Sequence, residues 1–177
     1  MRRRVFIALT HTLRASEWHL RHDNGEVPDS TPYGLDRLGD HDLDVTFSNP
    51  RTWCPRLRSS LLASMHARTS GLEFTHVIEN WRMMRSSHTD TVFCYDERTG
   101  IPAMSLPDRH LAPVLSGVAW LRRSASDPIL RALADHALPR AAALFTQCSP
   151  MVDAISDEWS VPKSRVHYVP LGIDTDF

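Results

Sequence analysis

Asp96 and Glu97 stand side by side directly after an apolar run, Thr91 to Tyr95. Paired carboxylates at a strand's end can hold a hydroxyl or exchange a proton with it. The plainer use of the same pair is a solvated loop or a helix cap. His11 follows another apolar run, Val5 to Leu9. It suits contact with an acceptor or a phosphate; its plainer use is a ring bonded to backbone. Trp120 closes a third run that starts at Pro113, and Asn49 and Ser149 follow two more. Between these runs lies a polar stretch, Leu13 to Pro28, where Trp18, His19, Arg21 and His22 mix one aromatic ring with cationic and titratable groups. Such a stretch can stack on a sugar or lie against lipid headgroups. It also fits a solvated loop anchored by one tryptophan, and the short basic start Arg2-Arg3-Arg4 adds little to membrane contact by itself.

Several chemistries lack their residues. The chain has ten histidines, and His19-x-x-His22 has helical spacing. No carboxylate or cysteine accompanies that pair, whereas zinc takes three or four ligands, so no metal is assigned. There is no G-x-x-x-x-G-K-[ST] and no G-x-G-x-x-G. With seven glycines, none closely paired, a glycine loop for phosphate is not expected. No G-x-S-x-G elbow is present. The residues alone therefore name no catalytic group.

A length of 177 residues suggests one domain, large enough for a real core. Hydrophobic content of 42% and 23% charged residues are ordinary for a globular protein. A formal net charge of −1 gives no bulk attraction to nucleic acid. No apolar run reaches membrane-spanning length, and no signal peptide is read. Cys54, Cys94 and Cys148 are widely spaced with no C-x-x-C, which suggests free thiols in a reducing cytoplasm.

The elements that must position these groups alternate strand and helix. Strands are expected at Arg3–Leu9, Leu43–Phe47, Thr91–Tyr95, Pro113–Trp120, Ala142–Phe145 and Val166–Val169. Leu13–Pro28 reads as a long loop, functional in many compact domains. Ser30-Thr31-Pro32 reads as a helix start and Gly39 as a stop. Helical faces recur over Pro55–Arg68 and Leu72–Arg85, and Gly100–Leu106 suits a short helix or a turn. Asp127-Pro128 caps a further helix, and Ser149-Pro150 starts another with Met151, Ile155 and Trp159 on one face. Val161-Pro162 stops it. About six strands alternating with helices predict an α/β, doubly wound, mainly parallel sheet with helices on both faces. Ligands in such sheets bind outside the carboxyl ends of the strands. That rule singles out His11, Asn49, Asp96, Glu97, Trp120 and Ser149.

One stretch goes further. Arg140 to Phe177 holds a Ser149-Pro150 helix, the run Val161-Pro162-x-x-Arg165-Val166, and then Val169, Pro170, Leu171, Gly172, Ile173, Asp174 and Phe177. It resembles the end of the N-terminal domain, and the hinge after it, in retaining GT-B glycosyltransferases of the group 1 or family 4 type. Over residues 1–139 only the order of elements agrees. The resemblance implies a Rossmann-like acceptor domain over 1–165 and a last strand and hinge start over 166–177, with the C-terminal donor domain outside this chain. It implies transfer of a sugar from a nucleotide-sugar donor to an acceptor hydroxyl, by a protein inactive without its second half. The nucleotide sugar is then a co-substrate held mainly by the missing domain, and no other cofactor is implied. The partners implied are a sugar, small-molecule or lipid acceptor and the chain's own donor domain, but no nucleic acid. The expected place is the cytoplasm, with peripheral contact at the inner membrane face as an option. On this reading His11, Trp18, Tyr33, Asp96, Glu97 and Trp120 would line the acceptor site.

Two departures accompany the resemblance. Many members carry a glycine-rich loop after the first strand, where this chain has Thr10-His11-Thr12-Leu13. Many carry a histidine after the fourth strand, where Trp120 stands nearest. The alternatives are a GT-B relative such as a sugar-nucleotide epimerase, or a non-catalytic α/β binding domain.

Overall fold

The computed structural model describes residues 2–10, 12–48, 71–106 and 108–170. His11, Asn49, Cys54, the helix expected over Pro55–Arg68 and the hinge residues from Leu171 to Phe177 lie outside them. The described strands are β1 (Arg3–Ala8), β2 (Leu43–Phe47), β3 (Thr91–Cys94), β4 (Val114–Gly117), β5 (Ala143–Thr146) and β6 (Val166–Tyr168). They form one sheet in the order β2-β1-β3-β4-β5-β6, and every neighbouring pair is parallel. The helices are α1 (Ala15–Asp23), α2 (Phe74–Asn80), α3 (Glu97–Ser105), α4 (Pro128–Ala137) and α5 (Ser149–Trp159). The expected doubly wound α/β, Rossmann-like sheet is the fold.

Parallel strands need long crossovers, and helices cover the sheet as a result. Val92, Cys94, Val114, Ser116, Leu144, Thr146 and Val166 are all buried. Against this side α3 packs on β4, α2 and α4. Helix α3 comes unusually close. A Cβ at Gly100 would lie 1.8 Å from Ser116 Oγ, so only glycine fits there. Pro102 sits inside the same helix and cannot donate to the carbonyl four residues back, that of Arg98. The Glu73 N–H donates to that carbonyl instead, at 2.8 Å. The loop before α2 thus satisfies the acceptor that proline leaves open. On α5 the expected stripe is buried, with Met151 at 8%, Ile155 at 0% and Trp159 at 2% exposure. Each such side chain stabilises the fold by about 1.5–3 kcal/mol through burial.

Several boundaries differ from the sequence reading. The polar stretch is not a continuous loop, because α1 occupies Ala15–Asp23. None of its residues is buried, so it leaves no apolar periodicity to read. Local pairs support it instead: Arg14 with Glu17, and the Arg21 guanidinium 5.0 Å from the Trp18 ring centre. Strand β4 ends at Gly117, three residues before Trp120. Helix α3 begins at Glu97 rather than near Gly100, because the Asp96 side chain caps it. The turn after Pro32 is a 3-10 segment running to His41, past Gly39. Helix α5 starts at Ser149 with Cys148 in the cap position, and Ser160 in the left-handed region (φ 55°) ends it before Val161.

Candidate functional site

The strand order reverses beside β1, which has β2 on one side and β3 on the other. In such a sheet the chain leaves the two strands toward opposite faces, and ligands bind in the crevice at their carboxyl ends. Tyr95 and Asp96 follow β3 at that point. Leu9 and Thr10 follow β1 at the neighbouring strand end, with the Leu9 N–H held by Ser48 Oγ at 3.1 Å; His11 lies outside the described residues.

Asp96 combines two roles. Its Oδ1 accepts from the backbone N–H groups of Arg98 and Thr99, at 3.1 and 3.3 Å, so the helix-cap use is real. Among the described residues nothing donates to Oδ2, and Asp96 lines a nook at the carboxyl ends of β3, β4 and β5. Burial, and then the neighbouring Glu97 charge, push its carboxyl up to about 6. Near neutral pH such a group accepts a hydrogen bond from a hydroxyl and can take its proton.

The Tyr33 ring stacks on Tyr95, with centroids 3.9 Å apart and planes within 8°. Gln147, just past β5, donates to the Tyr95 hydroxyl at 3.3 Å. Burial, then Tyr95 and the charge of Asp96, push the Tyr33 phenol above its ordinary value. Tyr33 reaches this place through unusual backbone. Its φ is 63°, followed by 62° at Gly34, a region costly for a side chain with a Cβ. A compact knot supports the kink. Ser30 and Thr31 donate to the Asp36 carboxylate, the Asp36 N–H returns a bond to Thr31 Oγ1, and Arg37 pairs with Asp29 at 2.8 Å. Tyr33 remains 54% exposed. Strain and stacking oppose each other here, so Tyr33→Gly should be more stable than Tyr33→Ala by about 1 kcal/mol in urea unfolding. Equal stabilities would show that the kink stores no strain.

Glu97 takes a different part from the hydroxyl contact expected of it. It is buried, and its two oxygens accept from Ala119 N–H at 2.9 Å and Trp120 N–H at 3.1 Å. Trp120 itself is 88% exposed. The nook is about 30 Å³, lined by Tyr95, Asp96, Gly117, Phe145 and Gln147 among others, and not by Trp120 or Glu97. Asp96, Glu97 and, through its stack on Tyr95, Tyr33 thus lie at the end of β3, with Trp120 joined to Glu97 past the end of β4. Trp18 belongs to α1, half-buried with Arg21 over its ring, and among the described residues no hydrogen bond or ring contact joins it to this group. Tyr95, Gln147 and Gly117 were not singled out by sequence, although Tyr95 ends an apolar run and Gln147 follows one. Among the described residues no three His, Cys, Asp or Glu side chains group as a metal site, and no helix is long and apolar enough to cross a membrane. Cys94 is a poor nucleophile, since burial pushes its thiol up to about 12.

No protein-family model matches the chain, and no curated protein matches it.

Proposed function

We propose that this chain is the acceptor-binding half of a retaining GT-B glycosyltransferase, which receives a sugar or another hydroxyl-bearing acceptor at the carboxyl edge of its sheet. One observation carries the reading. Asp96, with an open Oδ2 and a carboxyl near 6, lies at the strand-order reversal beside the stacked Tyr33–Tyr95 pair and one residue before the clamp that holds Trp120. A carboxylate that takes hydroxyl hydrogen bonds, set among aromatic faces, is suited to a carbohydrate: the first meets its hydroxyls, the second its C–H face. The motif run from Arg140 to Phe177 supports the same reading by resemblance. The size of the nook agrees too. Small-molecule pockets commonly measure about 300–1,000 Å³, so the open nook of about 30 Å³ would form only a small part of such a site, the rest being supplied from outside this chain on this reading.

On this reading Asp96 accepts a hydrogen bond from the acceptor hydroxyl and orients it, while Tyr33 and Trp120 hold the acceptor ring; in a retaining transfer the hydroxyl proton leaves with the donor's phosphate. The donor's nucleotide belongs to a facing domain, since this chain carries no glycine loop or phosphate motif. The test is binding of methyl hexopyranosides and nucleotide sugars to the 177-residue chain, followed by nuclear magnetic resonance, with Tyr33→Ala as the control. Millimolar pyranoside binding that weakens about tenfold in Tyr33→Ala is the expected result, a loss of the size that one aromatic contact supplies. Tight binding of a nucleotide sugar to this chain, or turnover by it alone, would overturn the acceptor assignment. Pyranoside binding with no transfer by the complete gene product would instead leave a non-catalytic binding domain.

A further inference from the structure

Trp120 is the most exposed large apolar residue among the described ones, yet its backbone is held from both sides. On one side Glu97 receives the N–H groups of Ala119 and Trp120 on separate oxygens. On the other, Leu121 is buried at 4%, and the Arg122 side chain and the Arg123 N–H both donate to the Glu158 carboxylate, at 2.8 and 2.6 Å. The Arg123 guanidinium reaches the Asp135 carboxylate and the Glu158 carbonyl and lies 5.4 Å over the Trp159 ring. Exposed indoles on frayed loops need no explanation. An indole left in water by a loop that two carboxylates pin to the core is different, since water contact of so large an apolar surface is unfavourable. The same fixation lowers the cost of ordering the ring when a ligand arrives.

We propose that Glu97 is a positioning residue: its carboxylate clamps the Ala119-Trp120 backbone and thereby fixes Trp120 as a stacking platform for a pyranose ring at the carboxyl edge. The clamp stands on the geometry alone; the identity of its ligand rests on the carbohydrate reading above. The carboxylate suits this clamp because each N–H meets its own oxygen, Ala119 on Oε2 and Trp120 on Oε1. A glutamine offers one oxygen and one NH₂, which would face an N–H.

Amide and indole N–H signals of the ¹⁵N-labelled 177-residue chain test this, with Trp120→Phe used to assign the Trp120 indole. In the unsubstituted protein the Ala119 and Trp120 amides should exchange at least about 100-fold more slowly than an open loop amide. In Glu97→Gln at least one should exchange about tenfold faster or more, with the other indole signals unmoved. Methyl hexopyranosides should shift the Trp120 indole, and Glu97→Gln should weaken that binding about tenfold while leaving Trp120 in place in sequence. Freely exchanging Ala119 and Trp120 amides in the unsubstituted protein would overturn the clamp, and this reading needs no variant to fold. Unaltered pyranoside affinity in a folded Glu97→Gln would overturn the positioning role. Protected amides with no pyranoside shift at Trp120 would keep the clamp and remove the carbohydrate ligand, which is a failure of the functional reading instead.

Discussion

Replacing Asp96 with asparagine should stabilise this protein by about 2–3 kcal/mol at pH 8 and by almost nothing at pH 4. The Asp96 carboxyl lies at about 6 in the fold against an ordinary 3.8, chiefly through burial and then through the Glu97 charge. That rise, at about 1.4 kcal/mol per pH unit, corresponds to about 3 kcal/mol. The sign follows from proton uptake. Between about pH 4 and pH 6 the folded chain binds this proton more firmly than the unfolded chain, so stability falls as pH rises through that window. Below it both forms are neutral and the group costs nothing. Above it the fold carries a half-buried carboxylate.

Asparagine keeps the capping geometry, since it ranks with aspartate at that position, and it has no charge to bury. The measurement is urea unfolding of both proteins at pH 4, 5, 6 and 8, read as the difference between them. A difference that does not change with pH, or a variant less stable at pH 8, would contradict the burial argument. The same substitution replaces an oxygen that accepts from the acceptor hydroxyl, so on the acceptor-site reading it should weaken acceptor use while raising stability. Sites that hold a charged group in poor solvent commonly make that exchange.

The second large effect concerns Gly117. A Cβ there would lie 2.0 Å from the Tyr95 carbonyl oxygen and 3.0 Å from the end of the Phe145 ring. The ring tip can shift by a few tenths of an ångström. The carbonyl is less free, because it is backbone directly after β3 and the Tyr95 N–H donates to the Ala8 carbonyl at 3.3 Å. Gly117 is not in the left-handed region, so the demand is for space and not for backbone freedom. Gly117→Ala should therefore cost about 3 kcal/mol or more by overpacking. It should also disturb the Tyr33–Tyr95 stack, visible as a changed near-ultraviolet circular dichroism signal. Gly39→Ala is the comparison, since nothing lies within 4 Å of its added carbon. It should stay within about 0.5 kcal/mol of the starting protein. A Gly117 variant as stable as the Gly39 variant would mean that the strand ends are free to separate.

These two residues show how differently parts of the site were written in the sequence. Asp96 was conspicuous, a carboxylate directly after an apolar run. Its two uses, cap and crevice group, both occur because a strand's end and a helix's start coincide there. Gly117 was invisible, since only the approach of the Tyr95 carbonyl makes its missing side chain matter. Tyr33 had an aromatic ring to recommend it, but its contact with Tyr95 crosses 62 positions of chain and depends on two left-handed residues in a row. Helix α1 left no pattern because it buries nothing.

By itself the sequence determined the strand–helix alternation, the all-but-continuous apolar strands, the Asp127-Pro128 and Ser149-Pro150 helix starts and hence the parallel α/β sheet. Local physics suffices for these, since periodicity, caps and prolines act within a few residues. It also placed Asp96 at a strand end, which the sheet turned into the edge of a crevice. Tertiary structure alone decided the rest. The order β2-β1-β3 set which strand ends flank the opening. Close packing reserved Gly100 and Gly117 for glycine. A buried carboxylate, Glu97, was turned from the crevice toward the backbone of Ala119 and Trp120. Each of these depends on groups distant in the chain meeting at a fixed separation, and no residue type or spacing encodes that meeting in advance.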